Sequence, residues 1–287
     1  MRRPALPTRF SSPVNRMGFR IFAVWVWIIS WAIGAWPPAA GHAYVPAAGH
    51  LLEAAAAKRE TPSTAVVRQT RILAPQEGES RAQEYQETVY FRFPGVFRAE
   101  METDQGRRIY LERNGDYRIA DSQGLSQPLP DPMDLALRIL ANPEASGMGR
   151  VLAEVGIDLS VSSLGQFNGR LGFVLGARYP DELAPQVWFD KETLLPFRWL
   201  IVRRDDSGLP QRIEIRYFTW QKVGGLLYPH TMEGYRHERR SVDVRVDGID
   251  AGADISDERF SFQRLLEEHP PAGLPVAGET EIISPVQ

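Results

Sequence analysis

Metal binding or acid–base catalysis would have to start from the five histidines, His42, His50, His230, His237 and His269. His230 and His237 are seven apart in a run that reads as one strand. An odd separation sends them to opposite faces, so they do not share a metal ion. Asp243, Asp247, Asp250, Asp254 and Asp257 crowd around Gly248 and Gly252. The alternating D-x-D-x-D-G order of a calcium loop is missing, and the series reads as a charged outer face. Leu159-Ser160-Val161-Ser162-Ser163 has no G-x-S-x-G elbow, and no Gly-rich phosphate loop stands between a strand and a helix. Zero cysteines exclude disulfides, thiolate metal sites, cysteine nucleophiles and a lipid-modified N-terminal cysteine. No metal, cofactor or enzymatic activity is expected, and the chemistry left is burial of apolar surface.

That surface is arranged with a period of two. Over residues 185–262, Val187 and Phe189 alternate with polar neighbours, Leu195, Phe197, Trp199 and Ile201 share the next face, and 205–208 turns the chain. Ile213, Ile215 and Tyr217 repeat the pattern, residues 227–237 return, and Val242, Val244 and Val246 alternate before Phe260 and Phe262. Six antiparallel strands in a meander follow from this. An earlier meander precedes it. Residues 64–73 are strand-like, 75–83 form a loop, and Tyr85, Val89, Phe91 and Phe93 share a face up to Pro94-Gly95. Phe97, Ala99 and Met101 then alternate, Asp104-Gln105-Gly106 turns, and Ile109 and Leu111 continue to a type I′-compatible turn at Asn114-Gly115.

Between the meanders the period becomes 3.6. Asp131 can cap a helix with Pro132 at its first position, and Met133, Ala136, Leu137 and Leu140 fall on one stripe. After Asn142-Pro143, Met148, Val151, Leu152 and Val155 repeat the spacing. A short helix is also expected over 47–58, ended by Pro62.

The chain has 287 residues, enough for one large domain or two small ones. Its charge of −3 hides five arginines and no acid in residues 1–43; beyond them 28 of the 33 basic residues face all 36 acidic ones, a poor surface for nucleic acid. Residues 21–36 are apolar and uncharged, and Gly41 and Ala43 suit cleavage before Tyr44. Residues 1–43 therefore read as a secretory signal peptide, with Met17 as a second plausible start and an uncleaved inner-membrane anchor as the alternative. Residues 44–263 form the exported domain, working outside the cytoplasm, and 264–287 a mobile tail.

A sheet of ten or eleven strands curls, and about three short helices must cover its apolar hollow. The expected fold is α+β: a strongly curved antiparallel half-barrel with lid helices. Phe91, Phe97, Met101 and Leu111 face the hollow from the first meander, and Phe173 and Leu175 from between the two. Val187, Phe189, Phe197, Trp199, Ile213, Ile215 and Tyr217 face it from the second. Met133, Leu137, Leu140, Met148, Val151 and Leu152 line the lid. Period-two patterning is the same whether these side chains enclose a ligand cavity or pack directly on the helices.

The sequence resembles the LolA-like outer-membrane lipoprotein-sorting proteins over residues 51–262. The resemblance is carried by Phe91-Arg92-Phe93-Pro94-Gly95-Val96-Phe97-Arg98-Ala99-Glu100, by Asn114-Gly115-Asp116-Tyr117, and by Trp188-Phe189-Asp190 with Thr193-Leu194-Leu195-Pro196. Tyr217-Phe218-Thr219-Trp220-Gln221-Lys222-Val223-Gly224-Gly225, Leu227-Tyr228-Pro229 and Asp257-Glu258-Arg259-Phe260-Ser261-Phe262 complete it. It implies a half-barrel with a helical lid and a hydrophobic cavity for the acyl chain of a lipid or lipoprotein, without a cofactor. It also implies an inner-membrane donor and an outer-membrane acceptor, and a monomer is expected. Carriers of the family place an arginine immediately before the proline, where this chain has Phe93. Arg92, one residue away, points to the other face. A soluble carrier and a soluble sensor docking on a periplasmic protein both remain open.

Overall fold

A computed structural model describes residues 45–75, 81–127, 130–204, 208 and 210–270. The expected signal peptide, residues 76–80 of the expected loop, most of the turn at 205–208 and residues 271–287 lie outside the described residues.

The first meander comprises β1 (Thr64–Leu73), β2 (Gln83–Arg92), β3 (Val96–Thr103), β4 (Gly106–Arg113), β5 (Asp116–Asp121) and β6 (Gly124–Ser126). The second comprises β7 (Ser162–Phe167), β8 (Arg170–Leu175), β9 (Gln186–Asp190), β10 (Pro196–Arg204), β11 (Pro210–Val223), β12 (Leu226–Arg236) and β13 (Arg239–Ala251). Each strand pairs antiparallel with its neighbour in sequence, and β1 pairs with β13, with Ala65 opposite Ala251 and Leu73 opposite Val242. The two meanders thus fuse into one sheet of 13 strands whose edges are β6 and β7. It is a curved half-barrel that does not close. Asn114 (φ 52°) and Gly115 (φ 101°) are both left-handed, as the hairpin between β4 and β5 requires.

The edges of the sheet explain where the helices go. The chain leaves the sheet at β6 and re-enters it at β7, on the opposite edge. The connecting segment therefore crosses the hollow, as α2 (Pro132–Ala141) and α3 (Ala145–Glu154), while α1 (Ala48–Ala57) precedes β1. The buried faces of all three helices join Phe91, Phe97, Val187, Phe189, Trp199, Ile213, Ile215 and Tyr217 in one apolar core.

Three expectations of the fold need correction. Phe260 and Phe262 do not form a strand: residues Asp257–Phe260 make a 3-10 turn that runs into α4 (Phe262–Glu268). Ser261 caps α4 by accepting a hydrogen bond from the Arg264 amide at 3.2 Å. The residues expected to start a mobile tail at Arg264 therefore continue this helix, whose Leu265 is buried. Phe260 and Leu265 join Ile255, Ile109, Leu111 and Ala120 in a second apolar cluster on the convex face. The chain also has more strands than the ten or eleven expected.

Because Leu265 anchors α4, Leu265→Ala should lower the stability of the domain by about 2–4 kcal/mol. Urea unfolding reads this directly, and a change below about 0.5 kcal/mol, the range of ordinary surface substitutions, would mean that α4 contributes nothing to the fold.

Candidate functional site

The hollow of the sheet and the helices across it are the candidate site. Of the thirteen residues expected to face it, nine are buried in the concave core: Phe91, Phe97, Leu175, Val187, Phe189, Trp199, Ile213, Ile215 and Tyr217. Phe173 packs against that core half-buried, and Met101 is buried on the same face beside Glu87, its partner across β2 and β3. All six lid residues, Met133, Leu137, Leu140, Met148, Val151 and Leu152, meet them there. The Tyr217 hydroxyl lies 3.5 Å from the Ala136 carbonyl of α2. Phe91, Trp199, Ile213 and Tyr217 have no accessible surface at all, so the lid side chains fill the hollow in this conformation. Of the two alternatives that the patterning left open, this closed form has the side chains packed on the helices.

Leu111 and Phe197 face the other way. In β4 the partner of Phe97 is Glu112 and the partner of Arg98 is Leu111, so Tyr110 and Glu112 look into the hollow and Leu111 looks out. Both faces of β4 are buried, since the 3-10 turn and α4 cover the outer one. Alternation alone cannot orient such a strand. Phe197 stands at an irregularity where β10 slips against β9 between Pro196 and Arg198. The extra residue reverses its side chain, which joins Trp188 and Val174 on the convex face.

The alternation also passed over the polar fastening of the lid. Arg71 of β1, itself buried, pairs with Glu87 of β2 at 2.6 Å and with Asp131, the α2 cap, at 2.9 Å. Asp131 accepts from the amides of Met133 at 2.7 Å and Asp134 at 3.0 Å, so the residue that starts the helix also ties it to the sheet. Asp134 pairs with Arg108 of β4 and lies 3.8 Å from Arg71. Further along α2, Arg138 donates to Glu112 at 2.8 Å and also pairs with Glu154 of α3; the Tyr110 hydroxyl donates to Glu112 at 2.6 Å. The C-terminal end of α2 is held through backbone, by the Gly95 amide on the Ala141 carbonyl at 2.8 Å. Gly95 has φ 79°, and a Cβ there would stand 2.6 Å from Asn114 Oδ1. Charged residues at inward positions of β1, β2 and β4, and two on the otherwise apolar α2, were the available signal.

Burial and the neighbouring Asp131 carboxylate push Asp134 up to about 6. Burial acts on Asp131 in the same sense, but the charges of Arg71 and Arg108 outweigh it and hold Asp131 low. Burial likewise raises Glu112 against the pull of Arg138. Arg92 is on the convex face, as expected, paired with Asp257 at 2.6 Å and lying over the Phe260 ring. Phe93 stacks on Phe91 with ring centroids 5.1 Å apart. His230 lies in β12 and His237 in the turn after it, and the described residues contain no group of side chains fit to hold a metal.

The raised Asp134 gives a signed pH dependence. Its folded pKa of about 6 exceeds the ordinary 3.8, so the folded chain binds the extra proton in that interval. This contribution to stability is fully present below the ordinary value and is lost as pH rises through about 6. The group is fully buried, and the effect is on the order of 1–3 kcal/mol. Between pH 7.5 and 5, His230, lowered by burial, works in the opposite direction. Comparison with Asp134→Asn isolates the carboxylate: thermal melts should show less gain in stability on acidification for the variant than for the parent. Equal gains would exclude Asp134 as a group titrating under the lid.

No family model matches the chain, and no curated protein matches it. Similar solved structures include a domain assigned to the outer membrane lipoprotein-sorting proteins from Vibrio parahaemolyticus, at 14% identity, covering 76% of this chain and 97% of that one with a TM-score of 0.49. A DUF1329 family protein from Desulfovibrio piger gives 13%, 77%, 100% and 0.49 in the same order. A LolA superfamily protein from Nitrosomonas europaea gives 14%, 76%, 99% and 0.44. Likeness at this identity concerns the fold alone. The chain's own topology is an open antiparallel sheet with helices laid across its hollow from edge to edge.

Proposed function

We propose that the chain is an exported carrier that takes the acyl chain of a lipid or lipoprotein between its sheet and its lid and moves it toward the outer membrane. The observation that supports this most directly is the way the hollow is covered. A wide apolar face carries two short helices, α2 fastened to the sheet by ion pairs and α3 tied to α2 through Arg138 and Glu154, and these helices are the connection between the two sheet edges. Lifting them would open the hollow without unpairing a strand.

The magnitudes set the size of the ligand. Uncovering Met133, Leu137, Leu140, Met148, Val151 and Leu152 costs about 1.5–3 kcal/mol each, or about 9–18 kcal/mol together. An acyl chain returns about 0.8 kcal/mol per methylene, so about 11–23 methylenes offset the exposure. Long single chains or diacyl groups meet this, and short ones do not. Head-group selection is weak in such a site, because most of the free energy is non-directional.

Native mass spectrometry after delipidation and refeeding is the test. Retention should begin near chains of about 14 carbons, by the methylene arithmetic, and hexanoate should not be held. Hydrogen exchange should quicken over residues 132–154 in the loaded protein while the central strands stay protected. Loss of the proposal would be signalled by failure to retain any acyl ligand together with unchanged exchange in the lid. A protein partner crosslinked equally well with and without lipid would favour the sensor alternative.

A further inference from the structure

Arg59 follows α1 and is 91% buried, with 9% of its surface accessible. Its guanidinium donates from Nη1 to the Met148 sulfur at 3.6 Å. Among the described residues no carboxylate lies within ion-pair distance of it. Every other buried arginine in the domain is answered: Arg71 by Glu87 and Asp131, Arg98 by Glu100, Arg138 by Glu112, and Arg198 by Glu214. A buried cation without a counter-charge costs several kcal/mol and is not retained for stability. Burial lowers the Arg59 pKa to about 10, which still leaves it charged at neutral pH.

Beside Arg59 is an open space. Arg59 lines a cavity of about 460 Å³ together with Thr61, Ser63, Phe93, Pro143 and Glu144. Thr61 and Ser63 bring hydroxyl donors, and Glu144, exposed to solvent, marks the rim. The inner wall is Phe93, whose ring stacks on Phe91 of the concave core. The cavity is therefore lined both by a largely buried positive charge and by a ring that is continuous with the apolar core.

We infer that this cavity binds an oxyanion, a carboxylate or a phosphate, through the Arg59 guanidinium. Arg is suited to it because its planar fork donates two parallel hydrogen bonds to such a group. When the oxyanion is a lipid head group, its tail passes Phe93 toward the core; this part rests on the acyl-carrier reading, and the oxyanion site does not.

Three measurements on the purified chain test it. The first compares a pyrene-labelled dodecanoate with its methyl ester, which differ in charge and share the tail. The acid should bind about tenfold tighter than the ester, the scale of one charge-assisted pair. Arg59→Met should bring the ratio to about one, and Arg59→Lys should keep a preference for the acid. The second records melting temperature with inorganic phosphate. A rise in the parent that is absent in Arg59→Met means that the site takes the free anion. No rise, with the acid preference intact, assigns it to lipid head groups. The third is the melt of Arg59→Met without ligand, which should match or exceed the parent, since an unpaired buried charge has been removed. Acid and ester held equally by the parent, with no phosphate effect, would overturn the oxyanion site and leave acyl carriage standing. Neither lipid held, with a phosphate effect dependent on Arg59, would leave the site standing and end the carrier reading. A strongly destabilised Arg59→Met with no anion effect in the parent would mark Arg59 as structural and overturn the inference.

Discussion

The fastening of α2 to β1 and β4 is the interaction on which the closed form depends. α2 is buried over its whole length, and an apolar stripe alone would let it slide or rotate on an equally apolar sheet. Asp131 and Asp134 remove that freedom. Their carboxylates are fixed by the capping box at one end and by Arg71 and Arg108 at the other, so the start of the helix has one position. Burial makes the directional groups selective, because each is satisfied only in this register. Arg138 repeats the device one turn later and carries α3 with it through Glu154.

Much of the fold was legible because both meanders are built from hairpins whose turns are written in the chain. Residues 64–73 read as a strand and are β1, and Asn114-Gly115 gives the tight turn it promises. The Asp131-Pro132 start of α2 is equally local, since both the cap and the missing amide act within one turn. What was not legible was non-local. Nothing in residues 257–268 alone says that they cap the convex face, because Phe260 and Leu265 are buried by strands far away in sequence. The pairing of β1 with β13, which makes one sheet of two, is likewise a contact between distant parts of the chain.

The candidate site was read through its greasy residues and missed through its charged ones. Phe91, Val187, Trp199 and Ile215 follow from alternation. Arg71, Glu87 and Glu112 occupy inward positions of β1, β2 and β4, where alternation assigns charge to solvent. Such residues become interpretable only with their partners in place, since each carboxylate is acceptable in the interior because an arginine from another strand or helix meets it. Leu111 and Phe197 failed for different reasons. One sits on a strand buried on both faces, and the other at a bulge that shifts the phase by one.

Buried charge and buried apolar surface have opposite consequences for opening. Apolar contacts made in the closed form are lost to water when a lid lifts, and the loss grows with every methyl group uncovered. Buried ion pairs behave differently, because their attraction is offset by the hydration they gave up, and that hydration returns when water enters. Fastening α2 through Arg71, Asp134 and Arg138 thus fixes where the lid closes while adding little to the work of lifting it. Asp134 lies on the unfavourable side of that balance, its charged form disfavoured by burial and by Asp131. The closed form is consequently specified more strongly than it is stabilised, and on the proposed carrier reading an apolar chain that replaced the lid's own side chains would need to match only the hydrophobic part of the contact.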